Sequence, residues 1–297
     1  MSVLWTPAEE RGRRLKGWYD FSRVHLGEPD LTDGPYRVQG FRGLAGNGVD
    51  LGSGQPAPTR RPANGGARIN GKPALYIDGA FNESINDDGT PNPYNTFTPR
   101  GFSMTVVFRA GAWVNGLAGD GSGTYIMDRQ GSGSESRLMS LKAVSNVWTF
   151  QTRDDSGTSG VTGASVVAAT AGRVEIIRVN YSNAAGLYQA FSRGERMFSI
   201  APIGDISLDA IRFGYPNGAG GGNFALAEWV LVNDGLDNRL SERIDGYLAH
   251  KWGVPLVGSH PNAARPPLAR ARLDVIGAVP ALYPYVTLRL TARRVLL

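Results

Sequence analysis

The 297-residue sequence contains no cysteine. This absence excludes disulfide bonds, thiolate nucleophiles and cysteine-ligated metal sites. No segment approaches the roughly 18 consecutive apolar residues of a membrane-spanning helix, so we expect no membrane span. The first residues, MSVLWTPAEERGRRLKGW, lack the apolar core of about 7–15 residues that defines a signal peptide. We therefore expect the chain to be made in the cytoplasm and to leave it only as part of a larger particle.

Sequence signals of catalysis are also missing. Glycan hydrolysis needs two nearby carboxylates, but neither Glu175 nor Glu228 has a second one two or four residues further along the chain. No two of the three histidines are spaced as a metal-binding pair: His25, His250 and His260. We predict no catalytic residue and no enzymatic activity. A glycan hydrolase with carboxylates from separate strands is the less favoured alternative.

The excess of positive charge is confined to the C-terminal part of the chain. The whole chain has a net charge of +5. Residues 262–297 contain six arginines against one aspartate, so residues 1–261 carry equal numbers of basic and acidic side chains. A main domain with equal numbers of basic and acidic side chains does not favour nucleic-acid binding, and we predict no nucleic-acid partner. The basic segment is interpreted as a solvated or partner-facing arm.

Short β-type segments separated by Gly, Asn, Asp and Ser turns dominate the chain. They are rich in Val, Ile, Tyr, Phe and Thr, and this pattern with almost no helix predicts an all-β fold, an antiparallel β-sandwich of the jelly-roll type. The stretch between about residue 25 and Ala67 contains many Gly and Pro residues, and we expect no regular elements there. The predicted strands are 74–79, 102–110, 123–130, 137–143, 147–153, 174–181, 186–194, 210–215 and 224–234.

One helix is predicted, around the segment RIDGYLAHKWG at 243–253. An apolar stripe indicates its buried face, and it comprises Leu240, Ile244, Tyr247, Leu248 and Trp252. Asp237, Asn238 or Ser241 can cap its start, and Gly253 stands where a left-handed residue ends a helix. We expect His250 and Lys251 at the rim of this helix.

Candidate binding residues lie in the loops. Asp-rich turns can supply oxygen ligands for calcium, although plain turn chemistry explains the same residues; they are Asp87, Asp88, Asp120, Asp154 and Asp155. We predict no other cofactor. Aromatic faces and amides suited to carbohydrate occur at Trp113, Asn115, Tyr215, Asn217 and Asn223, where a structural role is the alternative.

The order of motifs resembles the concanavalin A-like (laminin G-like) jelly-roll domains found in bacteriophage structural proteins and bacterial surface proteins. WYDFS at 18–22 is similar to the family's opening Trp-x-Asp-x-Ser strand, and GLAGNGVDL at 43–51 to its Ser-Gly-Asn-Gly turn. The segments at 60–79 and 102–110 resemble the next two elements. The stretch 224–261 resembles the closing segment, in which a strand leads to a helix ending Gly-Tyr-Leu-Ala-x-Lys-Trp-Gly, followed by His-Pro.

This resemblance implies a jelly-roll domain at 1–261 and leaves 262–297 as a basic Pro/Arg-rich arm ending in a strand. We expect a non-enzymatic virion structural protein of a tailed phage or phage-like particle, serving as a surface projection, decoration or tail component. The arm is a candidate contact to other virion proteins, the alternative being that its strand packs on its own domain, and a homo-oligomer is expected. The alternative is a carbohydrate-binding protein that attaches the particle to host surface polysaccharide.

Overall fold

The computed structural model describes residues 4–11, 13–22, 25–26, 40–41, 43–45, 51–53, 63–77, 84–86, 101–110, 124–129, 139–144, 147–153, 159–168, 170, 172–182, 184–201, 211–214, 224–233 and 237–269. These residues form two antiparallel sheets and one α-helix, α1 (Asn238–Trp252). The predicted all-β sandwich is therefore confirmed.

Seventeen strands are described, and we number them β1 to β17 in chain order. They are Leu15–Asp20, His25–Leu26, Gly40–Phe41, Leu51–Ser53, Ala63–Ile69, Lys72–Ile77, Ser84–Asn86, Phe102–Ala110, Thr124–Arg129, Met139–Val144, Val147–Arg153, Ser159–Ala168, Val174–Ser182, Leu187–Ser192, Glu195–Ile200, Ile211–Gly214 and Phe224–Val232. A single 3₁₀ turn, Pro7–Glu10, precedes them.

The first sheet has the strand order β15-β14-β13-β8-β17-β6-β5, and the second has the order β12-β11-β10-β9-β16-β7-β4-β3-β2. Strand β17 is central in the first sheet. It pairs with β8 along one edge, while β6 and then β1 pair along the other. All nine residues of β17 are buried, because one face of the sheet meets the second sheet and α1 covers the other.

Aromatic rings fill the space between the two sheets. Tyr19 of β1 stacks on Trp229 of β17, with ring centroids 5.5 Å apart. Phe213 of β16 meets Trp229 edge-on at 5.9 Å and Phe21 at 5.7 Å. Edge-on and offset contacts are the preferred geometries of aromatic pairs, and they add to the burial of large apolar surfaces. These rings therefore connect β1 and β17 to the opposite sheet.

The predicted strands agree with the structure to within two residues at each end. Two further strands were not predicted from the sequence. Ser159–Ala168 is rich in Gly and Ala, which have low β-propensity, and Glu195–Ile200 is a half-exposed edge strand with charges at its start.

The expectation that no regular element lies between about residue 25 and Ala67 is wrong. Short strands occur there, and Ala63–Ile69 pairs with Lys72–Ile77 despite the adjacent Gly65 and Gly66. The register shifts between Asn64 and Ala67, so the two glycines occupy an irregularity of the ladder, where glycine is well tolerated.

Helix α1 begins and ends as predicted. Asp237 is the N-cap, and its carboxylate accepts a hydrogen bond from the Leu240 N–H at 3.0 Å. Gly253 ends the helix in the left-handed conformation, with φ 63°. The tip of the β5–β6 hairpin reaches the end of the helix, where the Asn70 amide donates to the carbonyls of Trp252 and Gly253. These bonds satisfy carbonyl groups that a helix terminus otherwise leaves unpaired.

The segment after the helix packs back onto the domain as far as it is described, to residue 269. The Asn262 amide donates to the Glu242 carbonyl at 2.9 Å. The Trp5 N–H donates to the Pro267 carbonyl at 3.0 Å, and Leu268 forms an isolated bridge with Leu4. The first residues of the predicted arm thus contact their own domain. The predicted terminal strand lies outside the described residues.

Candidate functional site

The loop residues predicted to bind ligands lie outside the described residues. This applies to the five carbohydrate candidates, Trp113, Asn115, Tyr215, Asn217 and Asn223. It applies equally to the five calcium candidates, Asp87, Asp88, Asp120, Asp154 and Asp155. Both predictions stay predictions. Among the residues that are described, no group of three or more His, Asp or Glu side chains is arranged to hold a metal ion.

A buried cluster around Glu228 joins the two ends of the domain; we call it the Glu228 cluster. It comprises Trp18, Asp20, Glu228, Tyr247, Lys251 and Trp252. Four donors engage the Glu228 carboxylate. Trp18 Nε1 and Tyr247 Oη bind Oε1 at 2.7 and 3.0 Å, and Trp252 Nε1 and Lys251 Nζ bind Oε2 at 2.7 and 2.6 Å. The motifs that resemble the family's opening strand and closing helix therefore meet at one side chain.

Lys251 is the cation of this cluster. Its ammonium group contacts Glu228, Asp20 Oδ2 at 2.7 Å and the Tyr247 hydroxyl at 3.1 Å, so all three of its donors have acceptors. The other oxygen of Asp20, Oδ1, accepts hydrogen bonds from the Ser22 N–H and hydroxyl at 3.0 and 2.6 Å. The expectation that Lys251 lies at the helix rim is wrong for its charged end, because the long aliphatic stem carries the ammonium inward.

Burial sets the electrostatics of the two carboxylates. Burial raises the pKa of Glu228, an effect that the Lys251 ammonium opposes and the Asp20 carboxylate reinforces. Burial alone would also raise the pKa of Asp20, but the Lys251 ammonium and the two Ser22 hydrogen bonds hold it below its ordinary value. Each oxygen of the two carboxylates accepts a hydrogen bond from a protein donor, so neither carboxylate has a free oxygen for a substrate. The cluster connects β1, β17 and α1.

Glu175, the other glutamate considered as a candidate for glycan hydrolysis, is also buried and engaged by protein donors. Its side chain is fully buried, it accepts a hydrogen bond from Ser192 Oγ at 2.9 Å, and it pairs with Arg173. Its strand, β13, is separated from the Glu228 strand by β8. Neither glutamate is placed for general acid or base work on a bound glycan.

An open cavity of about 400 Å³ lies where the start of α1 crosses strands β13, β14 and β15. We call it the Arg178 cavity. Its principal lining side chains are Arg178, Gln189, Phe191, Arg196, Glu242 and His260. The volume lies in the range typical of small-molecule sites.

A cross-strand row of three residues builds the floor of the cavity. Arg178 of β13 pairs with Phe191 of β14, and Phe191 pairs with Arg196 of β15. Directly opposed residues of antiparallel strands point to the same face of the sheet. The Arg178 guanidinium accordingly lies over the Phe191 ring, 3.9 Å from its centroid, with its Nε 3.0 Å from Asp245 Oδ2 of the helix.

The His-Pro turn forms the wall of the cavity through His260. The Asn262 N–H donates to His260 Nδ1 at 3.2 Å, so in the neutral ring the proton resides on Nε2. Nε2 lies 3.7 Å from Asp245 Oδ2. Gly194 allows the ring to approach, because a Cβ at that position would be only 2.6 Å from His260 Cδ2. His260 thus has a defined structural place, whereas His250 is exposed and its Nε2 contacts the Asn262 carbonyl at 2.9 Å.

Sequence reasoning did not identify this cavity. Its single sequence signal was the imperfect alternation of VEIIRVNY at 174–181, which places a charged Arg178 in line with the apolar Ile176 on one face of a strand. The structure buries both residues beneath α1. The pairing with Phe191 and the contact with His260 depend on turns and a helix that lie elsewhere in the sequence.

No described helix is both long enough and apolar enough to cross a membrane. No protein-family model matches the chain, and no curated protein matches it either.

Solved structures do match, at low sequence identity. The binding domain of Paraclostridial mosquitocidal protein 1 is 10% identical with a TM-score of 0.57, over 78% of this chain and 52% of that one. The binding domain of botulinum neurotoxin DC in complex with rat synaptotagmin II is 13% identical with a TM-score of 0.53, over 70% and 49%.

A third structure concerns botulinum neurotoxin type C, whose cell entry is described as dependent upon interaction with two ganglioside molecules. It is 14% identical with a TM-score of 0.51, over 69% of this chain and 48% of that one. The chain therefore spans about half the length of the structures it matches. At these identities the likeness shows the fold, a β-sandwich that in two of these three proteins belongs to a binding domain.

Proposed function

We propose that this chain is a non-enzymatic, carbohydrate-binding β-sandwich module that uses the Arg178 cavity as a glycan-contact site. The observation that carries the proposal is the cavity itself. It combines the ring of Phe191 with the Arg178 guanidinium and the amide-bearing Gln189, and it lies open on the face of the sheet. A small number of placed polar groups beside an aromatic surface is the usual composition of a ligand site.

Two observations support binding rather than catalysis. The buried carboxylates Glu175 and Glu228 are engaged by protein donors, so neither is available to protonate or attack a glycosidic bond. The structures of similar fold are named for binding, and one is described by its interaction with gangliosides. Because fold alone does not fix function, the cavity has to carry the proposal.

The setting proposed for this module is a tailed-phage or phage-like particle. The resemblance to concanavalin A-like jelly-roll domains of phage proteins supports it. The protein would be made in the host cytoplasm, assemble as a homo-oligomer through residues 270–297, and attach the particle to host surface polysaccharide. The loop residues Trp113 and Tyr215, with the three nearby asparagines, are proposed as a second glycan-contact region, and the Asp-rich turns as calcium ligands.

A polysaccharide array probed with the full chain tests the proposal. We expect binding to a subset of bacterial surface polysaccharides, reduced at least tenfold by Phe191→Ala. Phe191→Leu keeps most of the packing and controls for folding, and Arg239→Ala changes an exposed helix residue outside the cavity. A Trp113→Ala/Tyr215→Ala variant measures the loop contribution.

Absence of binding to every carbohydrate by the wild-type chain would overturn the proposed function. Unchanged binding by both Phe191 variants would remove the cavity from it. Release of new reducing ends from a bound polysaccharide would show that the protein is an enzyme.

A further inference from the structure

Asn262 lies between two histidines that contact its backbone in opposite senses. Its N–H donates to His260 Nδ1 at 3.2 Å, so this imidazole nitrogen is an acceptor. On the other side, His250 Nε2 lies 2.9 Å from the Asn262 carbonyl oxygen. A carbonyl oxygen only accepts, so this second imidazole nitrogen carries a proton and donates. Protonation of the two rings therefore has different consequences for the same residue.

Neutral His260 holds the His-Pro turn, residues 260–263, from two sides. Nδ1 accepts the Asn262 N–H, and Nε2, which carries the ring proton, lies 3.7 Å from Asp245 Oδ2 of the helix. The Ala263 N–H closes the turn by donating to the His260 carbonyl at 3.0 Å. The His260 side chain is only 3% exposed, so solvent does not replace either contact of the ring.

A second proton can bind the His260 ring only at Nδ1, because Nε2 has no free lone pair in this tautomer. The new N–H would face the Asn262 N–H, and the hydrogen bond between them would be lost. At His250 a second proton also binds Nδ1, but there the Nε2–H bond to the carbonyl remains. Histidine is the side chain that ordinarily takes up a proton between about pH 8 and pH 5. Acidification should therefore break the His260 contact and keep the His250 contact.

The charges beside the His260 ring do not offset this loss. Two acidic and two basic side chains contact the ring or line the same cavity, and they are Asp245 and Glu242 of α1, Arg178 of β13 and Arg196 of β15. Their charges cancel. The Asp245 carboxylate also lies closer to Arg178 Nε, at 3.0 Å, than to the imidazole. A positive charge on the ring gains little from this surrounding, so the lost hydrogen bond decides the outcome.

The other charged residues near the ring have their own surroundings. In the turn between β14 and β15, Arg193 Nε lies 3.7 Å from the Glu175 carboxylate. Glu195 is paired with Ser192, so its side chain is on the sheet face opposite to the cavity. Arg265, which follows in the same segment, is exposed. None of these side chains replaces Nδ1 as an acceptor for Asn262.

From these contacts we propose that His260 is a pH-sensitive latch. In its neutral form it fastens the His-Pro turn against α1 and Gly194 as the wall of the Arg178 cavity; in its protonated form it releases the turn and opens that wall. Nδ1 is engaged only while the turn is closed, so a proton binds the open state more tightly and shifts the population towards it. The inference does not depend on the proposed function, because it concerns the turn whether or not a glycan binds.

Nuclear magnetic resonance on the full chain between pH 8 and pH 5 tests the latch. The ¹⁵N shifts of the imidazole report its tautomer and its protonation, and we expect the Nε2–H form at pH 8 and the protonated form at pH 5. Over the same interval the exchange protection of the Asn262 and Ala263 amides, corrected for intrinsic exchange rates, should fall at least fivefold. The amides of β17 should keep their protection, which distinguishes opening of the turn from global unfolding.

Two variants assign the response to one ring. His260→Asn keeps an acceptor, because an asparagine oxygen can accept from the N–H two residues further on, but it takes up no proton in this range. We expect its Asn262 amide to stay equally protected from pH 8 to pH 5. His250→Gln is the matched control, because it removes the other imidazole at Asn262 and keeps a donor for the carbonyl. We expect it to retain the fivefold loss.

Three results on the wild-type chain would each overturn the inference, so the test does not depend on the folding of a variant. They are a proton on Nδ1 of His260 at pH 8, a neutral His260 at pH 5, and an Asn262 amide that stays equally protected once His260 is protonated. A loss of protection that persists in His260→Asn, or that disappears in His250→Gln, would assign the response to another group and overturn the latch as well.

Discussion

Lys251 of the closing helix forms a buried ion pair with Glu228 of the central strand, with Nζ 2.6 Å from Oε2. Glu228 is fully buried and the Lys251 side chain is only 13% exposed. The same ammonium binds Asp20 on β1, so one side chain forms ion pairs with carboxylates from two strands. The cluster therefore makes the packing of α1 depend on the alignment of β1 with β17.

Replacing Lys251 is predicted to destabilise the fold strongly. Lys251→Met keeps the apolar stem but leaves two buried carboxylates without a counter-ion, and removing one partner of a buried pair costs about 3–5 kcal/mol. Urea unfolding followed by tryptophan fluorescence measures the change. Arg239→Met, on the exposed side of the same helix, is the matched control and should change the free energy of unfolding by less than about 0.5 kcal/mol. A loss below about 1 kcal/mol in Lys251→Met would contradict the structural role of the cluster.

The pH dependence of stability is predicted to reveal the state of Asp20. The pKa of Asp20 is held below its ordinary value of 3.8 in the folded state. Ionised Asp20 therefore contributes fully to the free energy of unfolding above pH 3.8, and this contribution is lost as the pH falls through the lower pKa of the folded state. The stability difference between the wild type and Asp20→Asn should therefore shrink as the pH falls from about 5 to about 2. Urea unfolding at a series of pH values in this range measures it.

For Glu228→Gln, the pH dependence of the stability difference from the wild type is predicted to have the opposite sign. The pKa of Glu228 is raised above its ordinary value of 4.5 by burial, so the folded state holds the proton more tightly than the unfolded state. The wild type should then lose stability relative to Glu228→Gln as the pH rises above that value. A difference that stays constant between about pH 4 and pH 8 would show that Glu228 does not titrate differently in the two states.

The structure also predicts which of two glycines tolerates alanine. Gly194 and Gly186 both have positive φ, 85° and 60°, so a Cβ strains the backbone at either position. At Gly194 the added Cβ would also lie 2.6 Å from His260 Cδ2, while at Gly186 it would meet nothing within 4 Å. We expect Gly194→Ala to cost about 1–3 kcal/mol more than Gly186→Ala, which thermal unfolding of both variants measures. Equal losses would mean that the His-Pro turn does not pack as tightly as the structure shows.

The fold could be predicted from the sequence because its signals are local. Alternation and turn residues predicted nine strands, and the apolar stripe with Asp237 and Gly253 predicted the helix. Strand Ala63–Ile69 was missed because its glycine pair is accommodated by a register shift, which depends on the partner strand.

The sites could not be predicted in the same way. Trp18 and Glu228 are 210 positions apart, and Asp20 and Lys251 are 231 apart. Sequence spacing cannot indicate such contacts, although both motifs that supply them were recognised separately. Arg178 shows the same limit, since its environment is made by Phe191, Asp245 and His260 from three different elements.

The contribution of residues 262–269 to the stability of the domain is a further prediction. Truncation after residue 269 keeps every contact that the structure describes for the C-terminal segment, so this chain serves as the reference. Truncation after residue 261 removes the Asn262, Pro267 and Leu268 hydrogen bonds to the helix and the N-terminal segment. At about 0.5–1.5 kcal/mol each, their loss should cost about 2–4 kcal/mol. Chemical denaturation of the two truncated chains measures this difference.

The chain ending at residue 269 also tests the arm, by comparison with the full chain. If residues 270–297 mediate assembly, the chain ending at 269 should be folded but monomeric by light scattering, while the full chain forms a larger species. The five arginines between residues 270 and 297 favour a salt-sensitive contact, so the larger species should dissociate as the salt concentration rises. A chain ending at 269 that assembles as well as the full chain would show that the contact lies on the sandwich itself.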